Sequence, residues 1–284
     1  MSRTTSPFVV SADWLQQRLG TPGLSVIDGS WYLPAQGRDA RAEYQAGHIP
    51  GAVFFDHDKV VEPGSDLPHT LPSPGLFAQF ASSMGVDEHD EIVVYDGPGF
   101  FAAPRVWWML RLMGAGKVHV LDGGFDRWKA EGRPVTAETT KIASCFFEID
   151  CDPSRVVSFD EMRAIVAGGT AQIADARPAG RFAGTEPEPR PGMRGGHMPG
   201  ARSVPASSLS RDGSLLPVEE LRAALEGAGL DLSRPVVTSC GSGITAAVIS
   251  LALASVGHDD NRLYDGSWSE WGGRADTPVA TGDD

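Results

Sequence analysis

Cys240 heads the run Cys240-Gly-Ser-Gly-Ile-Thr-Ala, placed between a short apolar run, Val236-Val-Thr-Ser, and a long one, Thr245-Ala-Ala-Val-Ile-Ser-Leu-Ala-Leu-Ala. The two runs read as a buried strand and a helix that starts directly after a glycine-rich turn. The first turn of a helix presents unpaired N–H groups and the positive end of its dipole. Gly241 and Gly243 let the backbone curl so that successive N–H groups converge on the Cys240 sulfur, a nest that favours an anion. The thiolate is the nucleophilic form of cysteine, so the loop reads as a seat for covalent catalysis through a sulfur exposed to a cleft. The plainer alternative is a buried, inert cysteine before an ordinary turn, since free cysteine is among the most buried residue types.

Two arginines, Arg181 and Arg190, lie in a Gly/Pro-punctuated loop between Ala179 and Arg190. A guanidinium is a fork of donors that matches a carboxylate, so this loop can grip an acidic substrate. The competing reading pairs them, solvated, with Glu186 or Glu188. Ser242 is the hydroxyl nearest the nucleophile in sequence, able to donate a hydrogen bond to substrate or pass a proton, or simply to fit the turn. Thr245 stands at the expected helix start, where capping is the first role to expect and a bond to substrate sulfur the second. We assign the backbone of Gly241, Gly243, Ile244 and Thr245 to the substrate-binding surface. Arg105, just after Pro104 on a first-half helix, is expected to face the same cleft, although an exposed arginine is the default at a helix start.

The elements that position these residues occur twice. His48-Ile-Pro-Gly-Ala returns as His197-Met-Pro-Gly-Ala at an offset of 149 residues, and Asp122-Gly-Gly-Phe-Asp-Arg-Trp returns as Asp265-Gly-Ser-Trp-Ser-Glu-Trp at an offset of 143. A period near half of the 284 residues means two copies of one domain, not a solenoid. His48 and His197 occur in both halves and are read as structural. Glu91-Ile-Val-Val-Tyr and the helix from Ala103 to Met113 match the second-half strand and helix, with Pro104 tolerated in the first turn. At the strand end where the second half has Cys240, the first has Asp96-Gly-Pro-Gly. Strands alternating with helices predict a parallel sheet covered on both faces. The connection is placed between Pro134 and Pro153, with domains at 1–138 and 153–284 and a linker at 139–152.

Bulk composition narrows the partners. A hydrophobic content of 41% and a charged content of 21% are globular values, and the net charge of −13 argues against a nucleic-acid partner. An anionic substrate must therefore be met by local arginines. Neither a signal segment nor a run of membrane-spanning length is read, so a cytoplasmic protein is expected. Cys145, Cys151 and Cys240 lack C-x-x-C spacing, so neither a zinc site nor a disulfide framework is expected, and at least one thiol is free. The Trp107-Trp108 pair reads as core or interface filling.

With its Tyr44-Gln-Ala-Gly-His-Ile-Pro-Gly-Ala and Tyr264-Asp-Gly-Ser-Trp-Ser-Glu-Trp motifs, a first half without the nucleophile and the Cys240 loop, the chain resembles the tandem-domain rhodanese superfamily, and within it the 3-mercaptopyruvate sulfurtransferases. The resemblance covers nearly the whole chain. It implies an α/β fold of two tandem rhodanese-like domains, each a parallel five-stranded sheet flanked by helices. The implied chemistry moves sulfur from 3-mercaptopyruvate to a thiol such as thioredoxin or a small thiol, or to cyanide, through a Cys240 persulfide and without metal or organic cofactor. Loops of members that prefer thiosulfate resemble Cys-Arg-Lys-Gly, whereas Cys-Gly-Ser-Gly marks the mercaptopyruvate enzymes. Arg181 and Arg190 match their substrate-binding arginines. Asp58 and His69 match first-domain residues that form a proton relay with the serine matching Ser242.

Three other readings stay open: thiosulfate as donor, a non-catalytic persulfide carrier, and a cysteine phosphatase. The last needs an arginine six positions after the cysteine, where Ala246 stands.

Overall fold

The computed structural model describes residues 5–282. The first half runs β1 (Val9–Val10), α1 (Ala12–Gln16), β2 (Leu24–Asp28), α2 (Ala40–Ala46), β3 (Ala52–Phe54), α3 (Pro74–Ser83), β4 (Glu91–Tyr95), α4 (Ala103–Leu112), β5 (Val118–Leu121) and α5 (Gly124–Ala130). The second repeats it as β6 (Val156–Val157), α6 (Phe159–Gly168), β7 (Gln172–Asp175), α7 (Ala179–Ala183), β8 (Ala201–Ser203), a hairpin of β9 (Ser210–Arg211) and β10 (Ser214–Leu215), α8 (Val218–Gly227), β11 (Val236–Ser239), α9 (Ala246–Ser255), β12 (Asn261–Tyr264) and α10 (Ser267–Trp271). The two five-stranded sheets have the same order, β1-β5-β4-β2-β3 and β6-β12-β11-β7-β8, and all their pairings are parallel.

Parallel strands need cover on both faces, and adjacent residues of one strand bury into different clusters. In the first sheet Ile27, Ile92 and Val94 pack with α4, while Val26, Val93 and Tyr95 pack on the opposite face with Leu15 and Trp128. In the second, Val236 and Val237 divide in the same way. Helix α9 is buried nearly all round because it lies between its own sheet and α4, its counterpart in the first domain. One apolar cluster therefore runs through both domains and includes Trp107 and Trp108, as a core and interface role requires.

No helix or strand occupies residues 131–152, yet this stretch is packed: Phe147 is fully buried, and the N–H groups of Asp150 and Asp152 bond to the carbonyls of Met113 and Leu112. His48 and His197 do matching structural work. Each bridges its backbone to a later segment, at Thr136 and Ala280, and each stacks its ring on an aromatic, Tyr44 and Phe182.

The hairpin turn of the second domain presses into the first. Gly99, in the left-handed region at φ +82, leaves room for the Gly213 carbonyl, which a Cβ at 99 would meet at 2.4 Å. That carbonyl accepts the Gly123 N–H at 2.9 Å. Arg127 Nη1 donates to Ser214 Oγ at 2.7 Å, and Ser214 Oγ donates to Asp122 Oδ2 at 3.1 Å.

Candidate active site

Strand β11 ends at Ser239, and the loop from Cys240 to Thr245 leads into α9. The N-terminal turn of α10 anchors this loop: the N–H groups of Trp268 and Ser269 donate to the carbonyls of Cys240 and Gly241, each at 2.9 Å. Its first-domain counterpart is anchored identically, with Phe125 and Asp126 N–H groups on the carbonyls of Asp96 and Gly97. Gly243 takes φ +83, a left-handed turn a side chain rarely adopts.

The first-domain loop shows what such a turn holds. Asp96 accepts N–H groups from Gly99, Phe101, Ala102 and Ala103 at 2.6–2.9 Å. Burial pushes this carboxyl up, and the four donors pull the other way. Asp96 stands 144 residues before Cys240, and Gly99 and Gly243 share the left-handed conformation at the same offset, so the same turn follows both residues. The expected nest on sulfur is not formed: among the described residues no N–H group bonds to the sulfur of Cys240, whose side chain is shorter than that of Asp96.

Cys240, Gly241, Ser242, Ile244 and Thr245 line a cleft of about 400 Å³ between the domains, to which the first domain contributes Trp31 and Phe101. The sulfur is less open than its role led us to expect: Cys240 is 1% exposed and packs in the apolar cluster shared with α4 and α9. It still lines the cleft, with its backbone carbonyl held by α10 and the residue packed in the apolar cluster that α4 and α9 share. Thr245 occupies the N-cap position of α9, but its side chain makes no capping hydrogen bond and lines the cleft.

The two arginines flank the loop: a methyl group on Gly241 would lie 3.2 Å from Arg181 Nη2 and 4.0 Å from Arg190 Nη1. Arg181 is bound to Glu188, its Nε donating to Oε2 at 3.1 Å. This is the expected competing ion pair, but Glu188 is buried and also receives Arg177 Nη1 at 2.7 Å, so the pair is part of the wall and not a solvated contact. Arg190 has no hydrogen-bond or ion-pair partner among the described residues. Burial lowers its pKa, opposed by attraction to Cys240. An unpaired, half-desolvated guanidinium beside a free cysteine has the donor geometry that suits a carboxylate.

From the first domain, His69 Nδ1 meets Ser242 Oγ at 2.9 Å and His69 Nε2 meets Asp58 Oδ1 at 3.2 Å. The His69 hydrogen bond holds Asp58 below the usual carboxylate range, so it accepts from Nε2–H and leaves Nδ1 to accept from Ser242. His69 is buried, while the Asp58 side chain is 70% exposed, so the chain runs from the cleft to solvent. Burial lowers the His69 pKa, opposed by Asp58.

Two expected contacts are placed elsewhere. Arg105 is 1% exposed and does not line the cleft; it donates to His69 O at 2.9 Å, to Asp265 Oδ1 at 2.6 Å and to Gly243 O at 3.4 Å. Gly243 likewise faces Arg105 and Asp265 instead of the cleft. Sequence reasoning also passed over Arg177, whose buried guanidinium joins Asp175 to Glu188 behind Arg181, and Asp265, which was noticed only as a member of the repeat. All three cysteines are free. Among the described residues no helix is long and apolar enough to cross a membrane.

Comparison with known proteins agrees with the duplicated architecture. Residues 11–131 and 158–274 each match the Rhodanese-like domain family. The chain is 43% identical to the 3-mercaptopyruvate sulfurtransferase of Escherichia coli K12, over 97% of this chain and 98% of that protein. It is 42% identical to a thiosulfate sulfurtransferase of Gallus gallus, over 94% of each chain. A crystal structure of an Escherichia coli 3-mercaptopyruvate sulfotransferase superposes with a TM-score of 0.85 at 40% identity, covering 94% of this chain and all of that one. Two family domains in tandem, matched over almost the full length, show that the chain belongs to the rhodanese-like family.

Proposed function

We propose that this chain is a sulfurtransferase that takes sulfur from 3-mercaptopyruvate onto Cys240 as a persulfide, releases pyruvate, and passes the outer sulfur to a thiol acceptor. The observation that carries the reading is the meeting, in one cleft, of Cys240, an unpaired Arg190 and Ser242, whose hydroxyl is joined behind the cleft wall to His69 and Asp58 of the first domain. In this reading residues 1–138 form the non-catalytic domain, 139–152 the linker and 153–284 the catalytic domain.

Arg190, with Arg181 beside it, binds the substrate carboxylate and keto oxygen and brings the mercapto sulfur to Cys240. The Cys240 thiolate attacks that sulfur. An S–S bond forms, the S–C3 bond breaks, and its electron pair leaves on C3 as the enolate of pyruvate; the cysteine sulfur is oxidised and C3 reduced. The proton carried in on the mercapto group is taken up through Ser242 and His69 and returned to C3, so that the products are the persulfide anion and pyruvate with no proton gained or lost. An acceptor thiolate then attacks the outer sulfur and regenerates Cys240. Thioredoxin or a small thiol fits this step, as does cyanide in an assay, and the kinetics are ping-pong. A three-carbon acid fills only part of a cleft of about 400 Å³, which leaves space for an acceptor. Free thiol acceptors are plentiful in a reducing cytoplasm, where we place the protein.

Thiosulfate is a second donor to consider, since the matched Gallus gallus protein is named for it. Gly241 and Ser242 stand where cationic side chains would best serve a doubly charged inorganic anion. Steady-state assays with each donor decide the matter: many pyruvate molecules per chain with 3-mercaptopyruvate, at a higher kcat/KM than with thiosulfate, is the expected outcome. A single stoichiometric loading without turnover means a carrier, and preference for thiosulfate overturns the donor assignment.

The relay carries a signed pH dependence. His69 must be neutral to accept a proton, and burial holds its pKa below the ordinary 6.5, so kcat for pyruvate formation falls only in more acidic solution. Asp58→Asn removes the partner that raises this pKa, and the acid limb is expected to move to lower pH. A limb that does not move in that variant assigns it to another group.

A further inference from the structure

We propose that Asp265 is a positioning residue that holds His69 over the Cys240 loop from across the domain boundary. This deepens the sulfurtransferase reading and rests on it.

Asp265 belongs to the second domain, yet both of its carboxylate oxygens are bound to the first. Oδ2 accepts the Leu71 N–H at 2.7 Å, and Oδ1 accepts Arg105 Nη2 at 2.6 Å. The same Nη2 donates to the carbonyl of His69 at 2.9 Å, while Nη1 reaches the Gly243 carbonyl at 3.4 Å. Asp265 and Arg105 thus grip the His69–Leu71 turn from both ends and tie it to the loop that carries the nucleophile. The turn needs a grip. His69 has φ 57, the left-handed region, which a residue other than glycine holds only when its surroundings impose it. Removal of the grip lets the turn relax and takes Nδ1 away from Ser242.

The pseudo-symmetric half of the molecule supplies an independent observation. Asp122 is the first-domain counterpart of Asp265, and it grips a turn of the second domain: its carboxylate accepts from Ser214 Oγ at 3.1 Å and from the Leu215 backbone. The offset that relates Asp96 to Cys240 also relates Gly213, Ser214 and Leu215 to His69, Thr70 and Leu71. Gly213 is left-handed at φ 74 and lies against Pro98, as His69 lies against Ser242. The clasp is therefore a feature of the duplicated fold. In one copy it presents a glycine to an inert loop, and in the other it presents His69 to the reactive one.

The test separates the two half-reactions in the full-length chain. Pyruvate release from 3-mercaptopyruvate uses the proton relay, whereas discharge of a preformed Cys240 persulfide to cyanide does not. Asp265→Asn is expected to slow single-turnover pyruvate release roughly 10–100-fold. Discharge to cyanide is expected to change less than about 3-fold, with KM for 3-mercaptopyruvate held by the untouched Arg190. Asp122→Asn loosens the mirror clasp and is expected to leave both half-reactions within about 3-fold of the parent chain. Should Asp265→Asn fail to fold, Arg105→Lys keeps the charge on Asp265 but cannot also reach His69 O, and it should show the same selective slowing. Equal slowing of both half-reactions, or none in a folded variant, overturns the proposal. A parent chain that releases no pyruvate is a different result, which removes the sulfurtransferase reading itself.

Discussion

Cys240→Ser is expected to reduce pyruvate formation from 3-mercaptopyruvate to background, a loss on the order of 10⁵-fold, while the protein stays folded. The loss is large because no other group can hold the sulfur. A serine hydroxyl remains protonated at neutral pH, is a poor nucleophile towards sulfur, and gives no stable persulfide equivalent. His69 Nδ1 meets Ser242 Oγ and its other nitrogen meets Asp58, so neither ring nitrogen is directed at residue 240 to activate a hydroxyl there. The fold should survive because the loop is held through its backbone, by Trp268 and Ser269 N–H groups on the carbonyls of residues 240 and 241. One buried sulfur becomes a smaller hydroxyl, at a cost of about 1–2 kcal/mol. Circular dichroism and initial rates on the same sample check both halves of the expectation, and residual turnover above about 1% of the parent rate contradicts it.

The second large effect is expected at Arg190. Arg181 is committed to Glu188, whereas Arg190 has its donors free, so Arg190→Ala removes the main contact to the substrate carboxylate. A charge-assisted hydrogen bond contributes about 1.5–3 kcal/mol, or roughly 10–100-fold in kcat/KM. The loss should be larger for 3-mercaptopyruvate than for thiosulfate, because only the former has a carboxylate. Arg181→Ala has a mixed effect: it takes away a donor and also leaves Glu188 with Arg177 alone, so its consequence for stability is the greater of the two. Equal losses for both donors in Arg190→Ala would move carboxylate recognition elsewhere in the cleft.

Features written in local pattern were legible before any coordinates. The strands Glu91–Tyr95 and Val236–Ser239 have the bounds read from their apolar runs; the helix after the first ends one residue earlier than read, and the helix after the second starts and ends one residue later. The repeat identified two equivalent domains, and the contrast between Asp96 and Cys240 showed where their loops differ. The His69–Ser242 contact spans 173 residues; nothing local announces it, and it came from the family resemblance.

What pattern could not convey was the direction of side chains at the domain boundary. Arg105 sits on a helix whose every face but one is covered, so its guanidinium turns inward to Asp265 and His69 instead of to the cleft. The depth of Cys240 depends on α4, α9 and α10 closing together, a sum over both domains that the loop's own residues do not contain. Asp265 was visible as a repeated residue, and its partner Leu71 was not, because the link between them exists only once the halves are docked.

The account depends most on Cys240 as the atom that carries sulfur. Incubation of the full-length chain with 3-mercaptopyruvate and no acceptor, followed by intact mass measurement and peptide mapping, tests it directly. The predicted result is the gain of one sulfur atom on the peptide that contains Cys240, matched by one equivalent of pyruvate and reversed by cyanide. Sulfur found on Cys145 or Cys151, or pyruvate formed while Cys240 stays unmodified, would contradict it.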